Sequence, residues 1–293
     1  MKFHKLRSII IVSLVLLLFL TPAFLPKAEA TSRPTLPNAY LALFFSHLAY
    51  DGQQAVFKGE SPTGRMLNGI YSHDFNKDWI TINKAGYYTK YTPSSYGNAI
   101  GAGNYRMYAA LSNPKTNFYG AIYRNIYNNT YIVTFAGTDK SEAGDLASDK
   151  QLGNGRAGGP DQIRQARMLV KMLPQKANAI FTGHSLGGYI AAQMTIEFGK
   201  PSIVFNAPGF TASDLKKKAS ASPYRNLIVY HQFDRDNIIG VLNTYAFLHG
   251  NKSYYPGTKY TYGQYVDFSK VAGIGVGMHS LKNYYTVKVH QGY

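Results

Sequence analysis

The sequence predicts an α/β fold in which a mostly parallel central sheet is flanked by helices. Two observations support this prediction. Short apolar runs typical of buried strands alternate with segments whose apolar residues recur at helical spacing. In addition, the strand-like run Ala179–Phe181 leads through a glycine-framed serine into a helical segment. Such alternation is typical of parallel sheets that are buried on both faces.

The first thirty residues have the pattern of a secretory signal. Basic residues precede the apolar run Ile9–Leu20, and Ala28-Glu29-Ala30 offers small residues at the cleavage positions. We therefore expect a signal peptide, residues 1–30, that is cleaved after Ala30. The alternative is an uncleaved membrane anchor, but the apolar run is shorter than the roughly 20 residues that a spanning helix needs. Residues 31–293 are expected to form a single domain, since 45% of the chain is hydrophobic and only 16% is charged.

Several elements can be placed in order along the chain. Tyr40–Tyr50 predicts a mostly buried helix that ends at Asp51-Gly52, whereas residues 53–117 lack clear periodicity. Two strand-like runs on either side of a pair of asparagines indicate a hairpin. Pro160 opens an amphipathic helix that Pro174 closes. The strand-like runs before and after these helices are Phe118–Tyr123, Thr130–Phe135, Ser202–Asn206 and Asn226–Tyr230.

Ser185 is the predicted nucleophile. It stands in Gly183-His184-Ser185-Leu186-Gly187, the G-x-S-x-G pattern of a strand that turns sharply into a helix and exposes the serine hydroxyl at the edge of the sheet. The two glycines leave room for the turn. Because this pattern also arises by chance, the alternative is a serine in an ordinary strand-to-helix turn.

A serine nucleophile needs a histidine base that is oriented by a carboxylate, and in this architecture the acid and then the histidine follow the serine. His279 fits best, since it lies between a glycine-rich loop and an ordered apolar pattern. Asp236 is the predicted acid because an apolar pair follows it in the loop after a strand, and Asp234 is the alternative. The other histidines after the serine fit the order or the spacing less well: His231, His249 and His290.

The oxyanion of the tetrahedral intermediate needs hydrogen-bond donors. One is the backbone N–H of Leu186, directly after the nucleophile and at the positive end of the following helix. The second is the N–H of Thr138, because Gly137 lets the loop after the strand Thr130–Phe135 turn toward the serine. A simple glycine turn is the alternative interpretation of that loop.

Six segments together resemble a known family. The chain is similar to the class 3 (fungal-type) lipases and their bacterial lipase-like relatives in the α/β-hydrolase superfamily, over roughly residues 35–290. The resemblance implies an α/β-hydrolase fold, and it implies the same triad and oxyanion residues as the order along the chain. The matching segments are YIVTFAGTD at 131–139, Asp145 with Asp149, FTGHSLGGYIAA at 181–192, FNAPGF at 205–210, DNII at 236–239 and HSLKNYY at 279–285.

The sequence departs from the family pattern in two places. Ala136 stands where the family usually has an arginine in the oxyanion motif, so that loop is not expected to be anchored as in the family. Residues 140–159 are polar and glycine-rich where family lipases carry an amphipathic lid. The lack of a lid pattern favours an esterase or phospholipase over a long-chain triglyceride lipase that is activated at an interface.

Charge and composition limit the partners. A formal net charge of +16 favours an anionic membrane or cell-wall surface, although a solvated basic surface explains it equally well. No specific nucleic acid is indicated, and the sequence does not predict an oligomeric state. The chain has no cysteine, and the predicted mechanism needs no cofactor and no metal.

The sequence thus predicts a secreted, extracellular serine hydrolase that cleaves carboxylic esters of lipids through an acyl-enzyme. Lipase, carboxylesterase and phospholipase A activities all fit, with a lipid or other ester as substrate. One alternative is a catalytically weak or inactive protein on the same scaffold that binds anionic envelope or lipid. Another is an acyltransferase or thioesterase that uses the same triad.

Overall fold

A mixed seven-stranded sheet organises the described part of the chain. The computed structural model describes residues 37–59, 80–81, 90–91, 102–137, 160–210, 213–233 and 253–262, together with Leu281, Tyr284 and Val289. All of them belong to one compact unit, Leu36–Tyr293. The helices are α1 (Ala39–Phe57), α2 (Pro160–Val170), α3 (Leu186–Phe198) and α4 (Ser213–Ala221).

The strands of the main sheet follow one another in chain order. They are β3 (Tyr105–Asn113), β4 (Phe118–Asn125), β5 (Thr130–Phe135), β6 (Asn178–His184), β7 (Ser202–Phe205), β8 (Ile228–Phe233) and β9 (Thr258–Tyr262). β3, β4 and β5 pair antiparallel, and β5 to β9 pair parallel. Two short strands, β1 (Ile80–Thr81) and β2 (Lys90–Tyr91), pair separately. The predicted mostly parallel sheet with flanking helices and the predicted β4–β5 hairpin are both confirmed.

The central strands are buried on both faces, as their near-continuous apolar runs predict. Successive residues of a strand point to opposite faces, so Ile132 and Ile180 pack with α1 whereas Val133 and Phe181 pack with α2 and α3. Within the residues that the structure describes, no helix is both long enough and apolar enough to cross a bilayer.

Buried hydroxyl groups join α1 to the sheet. The Thr182 hydroxyl donates to the Ile203 carbonyl at 2.7 Å and contacts the Ala42 carbonyl at 3.1 Å. The Ser46 and Thr182 hydroxyls lie 2.8 Å apart, and the Thr134 hydroxyl donates to the Phe45 carbonyl at 2.9 Å. Since an unpaired polar group inside the core costs about 1–3 kcal/mol, these bonds fix the position of α1 on β5 and β6.

The prediction that the first helix ends at Asp51-Gly52 is wrong, because α1 continues to Phe57. Gly52 lies against Tyr119 of β4: a Cβ at this position would be 2.3 Å from the Tyr119 hydroxyl oxygen. The glycine therefore allows close packing of helix on sheet and is not a stop signal. Local propensity predicted an end that the tertiary contact overrides.

Besides the short β1 and β2, two strands of the main sheet escaped prediction. β3 lies at one edge of the sheet, and its exposure alternates along most of its length, but its sequence is mixed in polarity and lies in the tyrosine-rich region without clear periodicity. β9 lies at the opposite edge and is largely exposed. Edge strands bury less apolar surface than central strands, so their sequences carry a weaker pattern.

A partly buried ion pair joins α2 to α3. Arg167 contacts both carboxylate oxygens of Glu197, at 2.5 and 2.7 Å, and the Gln193 amide donates to the same carboxylate at 2.6 Å. Burial alone would raise the pKa of Glu197, but the bonds from Arg167 and Gln193 and the positive charges of Arg167 and Lys218 outweigh it and lower the pKa. The folded state therefore favours the ionised carboxylate.

We expect Glu197 to make stability depend on pH. A pKa lowered by folding contributes stability above the unfolded value of about 4.5, and this contribution is lost as pH falls through the folded value. Glu197→Gln should cost about 1–2 kcal/mol at pH 7 and less at pH 4, as measured by urea unfolding. Asp161→Asn is the matched control, since its ion pair with Arg164 is exposed. Equal losses at both pH values would contradict this prediction.

Candidate functional site

The turn between β6 and α3 holds Ser185 in a strained conformation. Its φ of 57° and ψ of −128° lie outside the regions that a residue with a side chain ordinarily adopts. The Ser185 N–H donates to the Phe205 carbonyl of β7 at 3.0 Å, and its carbonyl accepts the first helical bond, from the Tyr189 N–H, at 3.1 Å. The backbone on both sides of the serine is thereby tied to the sheet and to the helix.

The glycines that frame the serine lie in backbone contact. A Cβ on Gly183 would be 2.4 Å from the carbonyl carbon of Gly187, and a Cβ on Gly187 would be 2.1 Å from the Phe135 carbonyl oxygen of β5. Real Cβ atoms do not approach backbone so closely. Glycine at both positions therefore lets the start of α3 pack directly on the ends of β5 and β6.

The hydroxyl of Ser185 does not cap the helix that follows it. A serine at this position ordinarily accepts a hydrogen bond from a backbone N–H of the first helical turn, but here the side chain makes no such bond. The N–H of Leu186 belongs to that first turn, where an α-helix provides no acceptor for its N–H groups. The turn therefore combines a serine hydroxyl that is not used for capping with the positive end of a helix dipole.

Tyr50 of α1 contacts the same turn through His184, the last residue of β6. The Tyr50 hydroxyl lies 2.8 Å from Nδ1 of His184 and 3.4 Å from the His184 carbonyl oxygen. A Cβ on Gly137 would be 2.4 Å from the Tyr50 hydroxyl oxygen, 2.8 Å from the His184 carbonyl oxygen and 3.3 Å from Cβ of Ser185. Gly137 thus passes between Tyr50 and the serine, so the loop after β5 lies beside the turn.

The ends of β7 and β8 are joined by a second buried cluster. Asn206, which follows β7 with a φ of 42°, accepts through Oδ1 from the Tyr284 hydroxyl at 2.6 Å and from the Phe233 N–H at 3.2 Å. The Tyr284 hydroxyl also contacts the His231 carbonyl at 2.5 Å. Its ring packs against Phe205 and Phe233. These contacts hold Tyr284 at the same edge of the sheet as Ser185.

The structure describes two of the five residues predicted for the site. Ser185 and Leu186 are adjacent and buried at the turn. Thr138, Asp236 and His279 lie outside the described residues, as does the alternative acid Asp234. Their nearest described neighbours are known: Gly137 directly precedes Thr138, and Phe233, the last residue of β8, directly precedes Asp234.

Sequence reasoning missed three residues that surround the turn: Tyr50, Asn206 and Tyr284. Tyr50 was placed at the end of a helix, and its partner His184 is 134 residues away along the chain. Asn206 bonds Tyr284 over a separation of 78 residues. A periodic pattern reports only on local structure, so such contacts leave no signal in a single sequence.

Two buried tyrosines near the turn stay neutral. Burial raises the pKa of Tyr119, which lies against Gly52, and burial likewise raises the pKa of Tyr189 in the first turns of α3. Neither phenol is ionised at neutral pH.

Among the described residues, no group of three His, Asp or Glu side chains is close enough to hold a metal ion.

The sheet and the turn together define the class of the protein. A strained serine between a central parallel strand and a helix, on a mostly parallel sheet covered by helices, is the arrangement of an α/β-hydrolase. The chain belongs to the family of the Tle-like phospholipase domain, whose model matches residues 87–234. The protein is therefore a lipase- or phospholipase-like hydrolase, and the expected resemblance to lipases of this fold is confirmed. The matched region includes Ser185 and ends before Asp236 and His279.

Solved structures with similar folds include fungal lipases. The Rhizomucor miehei lipase propeptide complex shares 14% identity over 76% of this chain and 67% of its own, with a TM-score of 0.44. An MDLA mutant from Penicillium cyclopium shares 12% identity over 76% and 78%, with a TM-score of 0.44, and lipase II from Rhizopus niveus shares 14% over 76% and 78%, with a TM-score of 0.40. No curated protein matches the sequence. At these TM-scores, the fold assignment depends on the strand order and the family match.

Gly137→Ala tests whether the loop after β5 must lie beside the turn. The new Cβ would overlap the Tyr50 hydroxyl and the His184 carbonyl, so the loop must move away from Ser185. We expect hydrolysis of a short-chain nitrophenyl ester to fall about 100-fold or more, the usual cost of losing one oxyanion donor. The double variant Gly137→Ala/Tyr50→Phe removes one of the overlapping atoms and should recover part of this loss. Wild-type kcat in folded Gly137→Ala would show that the loop position is not needed.

Proposed function

We propose that the protein is an exported serine hydrolase that cleaves carboxylic esters of lipids through an acyl-enzyme. In this proposal Ser185 attacks the ester carbonyl and His279 accepts the proton of the serine. Asp236 orients His279, and the N–H groups of Thr138 and Leu186 bind the oxyanion. The single observation that carries the proposal is the strained conformation of Ser185 at the start of α3.

The position of Ser185 supports its role as nucleophile. Backbone strain of this kind costs about 1–3 kcal/mol and persists only where the surroundings enforce it. Here β5, β6 and β7 enforce it through the glycine contacts and the bond from the Ser185 N–H to Phe205. A serine that served only as a helix cap would need none of this strain, because ordinary cap geometry is extended.

The described residues nearest along the chain to Asp236 and His279 support their roles as acid and base. β8 ends at Phe233, at the edge of the sheet where Ser185 lies, and along the chain Asp234 follows it directly and Asp236 two residues later. Tyr284, five residues after His279, is held at the ends of β7 and β8. Functional loops of parallel sheets lie at this edge, at the carboxyl ends of the strands.

The proposed reaction conserves atoms and charge in two steps. The Ser185 oxygen bonds to the acyl carbon, and the alcohol of the ester leaves with the proton that His279 took from the serine. Water then attacks the acyl-enzyme, gives its proton to the same histidine and releases the fatty acid, and the proton returns to Ser185. The oxyanion forms in both steps, so the same two N–H donors serve both.

The family implies a lipid ester as substrate, and we propose a phospholipid within that class. The family match to a phospholipase-like domain supports this choice. Export rests on the signal-peptide pattern of residues 1–30. Hydrolysis of a panel of phospholipids and triglycerides that share acyl chains would separate phospholipase from lipase activity.

Ser185→Ala should abolish covalent labelling by a fluorophosphonate probe and lower kcat for a short-chain ester by about 10⁴-fold or more. Ser202→Ala is the matched control, because Ser202 is also buried in the sheet, one strand away. It should keep both labelling and turnover. Labelling of the Ser185→Ala variant at the wild-type rate would place the nucleophile elsewhere.

The same experiment separates the two alternative functions. A folded wild-type protein that neither labels nor turns over would exclude the enzyme and favour the inactive scaffold. A labelled protein that transfers its acyl group to an added alcohol faster than to water would be an acyltransferase.

Asp236→Asn should lower kcat by about 10³–10⁴-fold, since an amide in place of the carboxylate no longer holds the histidine in the productive tautomer. Asp234→Asn is the matched control, two residues away and with the same change of charge, and should keep kcat within about tenfold. Measurement of kcat at several pH values distinguishes loss of the acid from a misfolded loop. The reverse result would assign the acid to Asp234.

A further inference from the structure

One edge of the main sheet carries a row of positive charges. The amino edge is defined here as the edge where the parallel strands β5 to β9 begin, and the carboxyl edge is the edge where they end. Lys176 and Lys200 each precede their strands, β6 and β7, by two residues, and Arg225 precedes β8 by three. Lys259 is the second residue of β9, and Arg124, near the end of the antiparallel β4, pairs with Tyr131 at the start of β5.

These five residues, the basic row, therefore occupy the same edge of five strands. β4 and β9 are separated by five interstrand spacings of about 4.8 Å, so the row extends about 24 Å. The segments that carry its central part are in contact, since the Lys200 ammonium donates to the Ala177 carbonyl at 2.7 Å and Gly199 lies against the ring of Tyr224. The cations thus follow a line along the sheet and are not scattered over the surface.

The partners of the basic row are neutral, so its charge is not compensated. Arg124 donates to the Asn129 side-chain oxygen at 2.6 and 2.8 Å, and Arg225 donates to the Ser220 carbonyl at 2.7 Å. Lys259 lies over the ring of Tyr255. Within the described residues, no carboxylate forms an ion pair with a member of the row, and Glu197, at the end of α3, is bonded to Arg167.

The carboxyl edge carries the serine turn. The last residues of β5 to β9 include no lysine or arginine: they are Phe135, His184, Phe205, Phe233 and Tyr262. Ser185 follows this edge, and the seven residues of β6, at about 3.3 Å each, separate it from the basic row by about 23 Å. The basic row and the serine turn therefore lie at opposite edges of the sheet.

We propose that the basic row binds a linear polyanion, a polymer with phosphate or sulfate groups repeated along one chain. A line of single cations at strand spacing matches a line of single anions, and it provides the electrostatic attraction that dominates polyanion binding. A bound polymer leaves the edge with Ser185 accessible. This inference does not depend on the proposed hydrolase activity.

An anionic bilayer fits this edge less well. A bilayer on the amino edge would leave Ser185 on the far side of the sheet, away from its lipid substrate. The basic row is therefore an attachment surface for a polymer and not the surface that meets a lipid substrate.

The test measures binding of fluorescein-labelled long-chain inorganic polyphosphate to the full chain by anisotropy, between 50 and 300 mM salt. The row variant Lys176→Gln/Arg225→Gln/Lys259→Gln should weaken binding at least tenfold at about 100 mM salt. The slope of log affinity against log salt should fall in magnitude by about 2–3, since each lost contact removes about 0.7–0.9. The control Lys58→Gln/Lys115→Gln/Arg164→Gln removes the same charge elsewhere and should change affinity less than threefold.

Three outcomes would overturn the proposal. Absence of polyphosphate binding by the wild type, or equal weakening in both triple variants, would show that no specific surface exists. Loss of binding to phosphatidylglycerol vesicles by the row variant, with polyphosphate binding intact, would make the row a membrane site. Thermal unfolding of the wild type and both triple variants checks that all three are folded. Their rates of ester hydrolysis should be equal. Because binding is measured without hydrolysis, a failed hydrolase proposal leaves the binding result unaffected.

Discussion

The contact of backbone with backbone at the turn around Ser185 is the constraint on which the rest of the described structure depends. Gly187 lies so close to the Phe135 carbonyl that no side chain fits between α3 and β5, and Gly183 lies as close to Gly187. This contact sets the distance between helix and sheet. It also fixes the order in which β5, β6 and α3 must meet, because the helix can pack so tightly only where both strands end together.

On the opposite face of the sheet, polar contacts hold α1 on the strands. The Phe45 carbonyl of α1 accepts a hydrogen bond from the Thr134 hydroxyl, and the Ala42 carbonyl contacts the Thr182 hydroxyl. Inside α1, Tyr50 contacts His184 and lies against Gly137, so the helix that is furthest from the serine along the chain also limits the loop beside it. The turn is therefore held from both faces of the sheet, which accounts for the strained φ of Ser185.

The predictable and unpredictable parts of the molecule differ in the range of the interactions that form them. The central strands, the β4–β5 hairpin and the serine turn follow from apolar runs and glycine spacing, which are local properties of the chain. The end of α1 did not follow, because Gly52 owes its place to Tyr119, 67 positions later. The partners of Ser185 could be proposed only from the order of acid and histidine along the chain. That order does not reveal a long-range contact such as the one between Tyr50 and His184. Edge strands β3 and β9 were missed because half-exposed strands lack a continuous apolar run.

Strand direction also explains why the basic row and the serine turn lie at opposite edges of the sheet. In a parallel sheet all amino ends lie at one edge, so residues that precede successive strands align even though they are far apart in sequence. Lys176, Lys200 and Arg225 each stand within three residues of a strand start, and the fold alone brings them into line. The carboxyl ends converge in the same way on the serine turn. A single topological rule therefore places the basic row at one edge of the sheet and the serine turn at the other, separated by the full length of a strand.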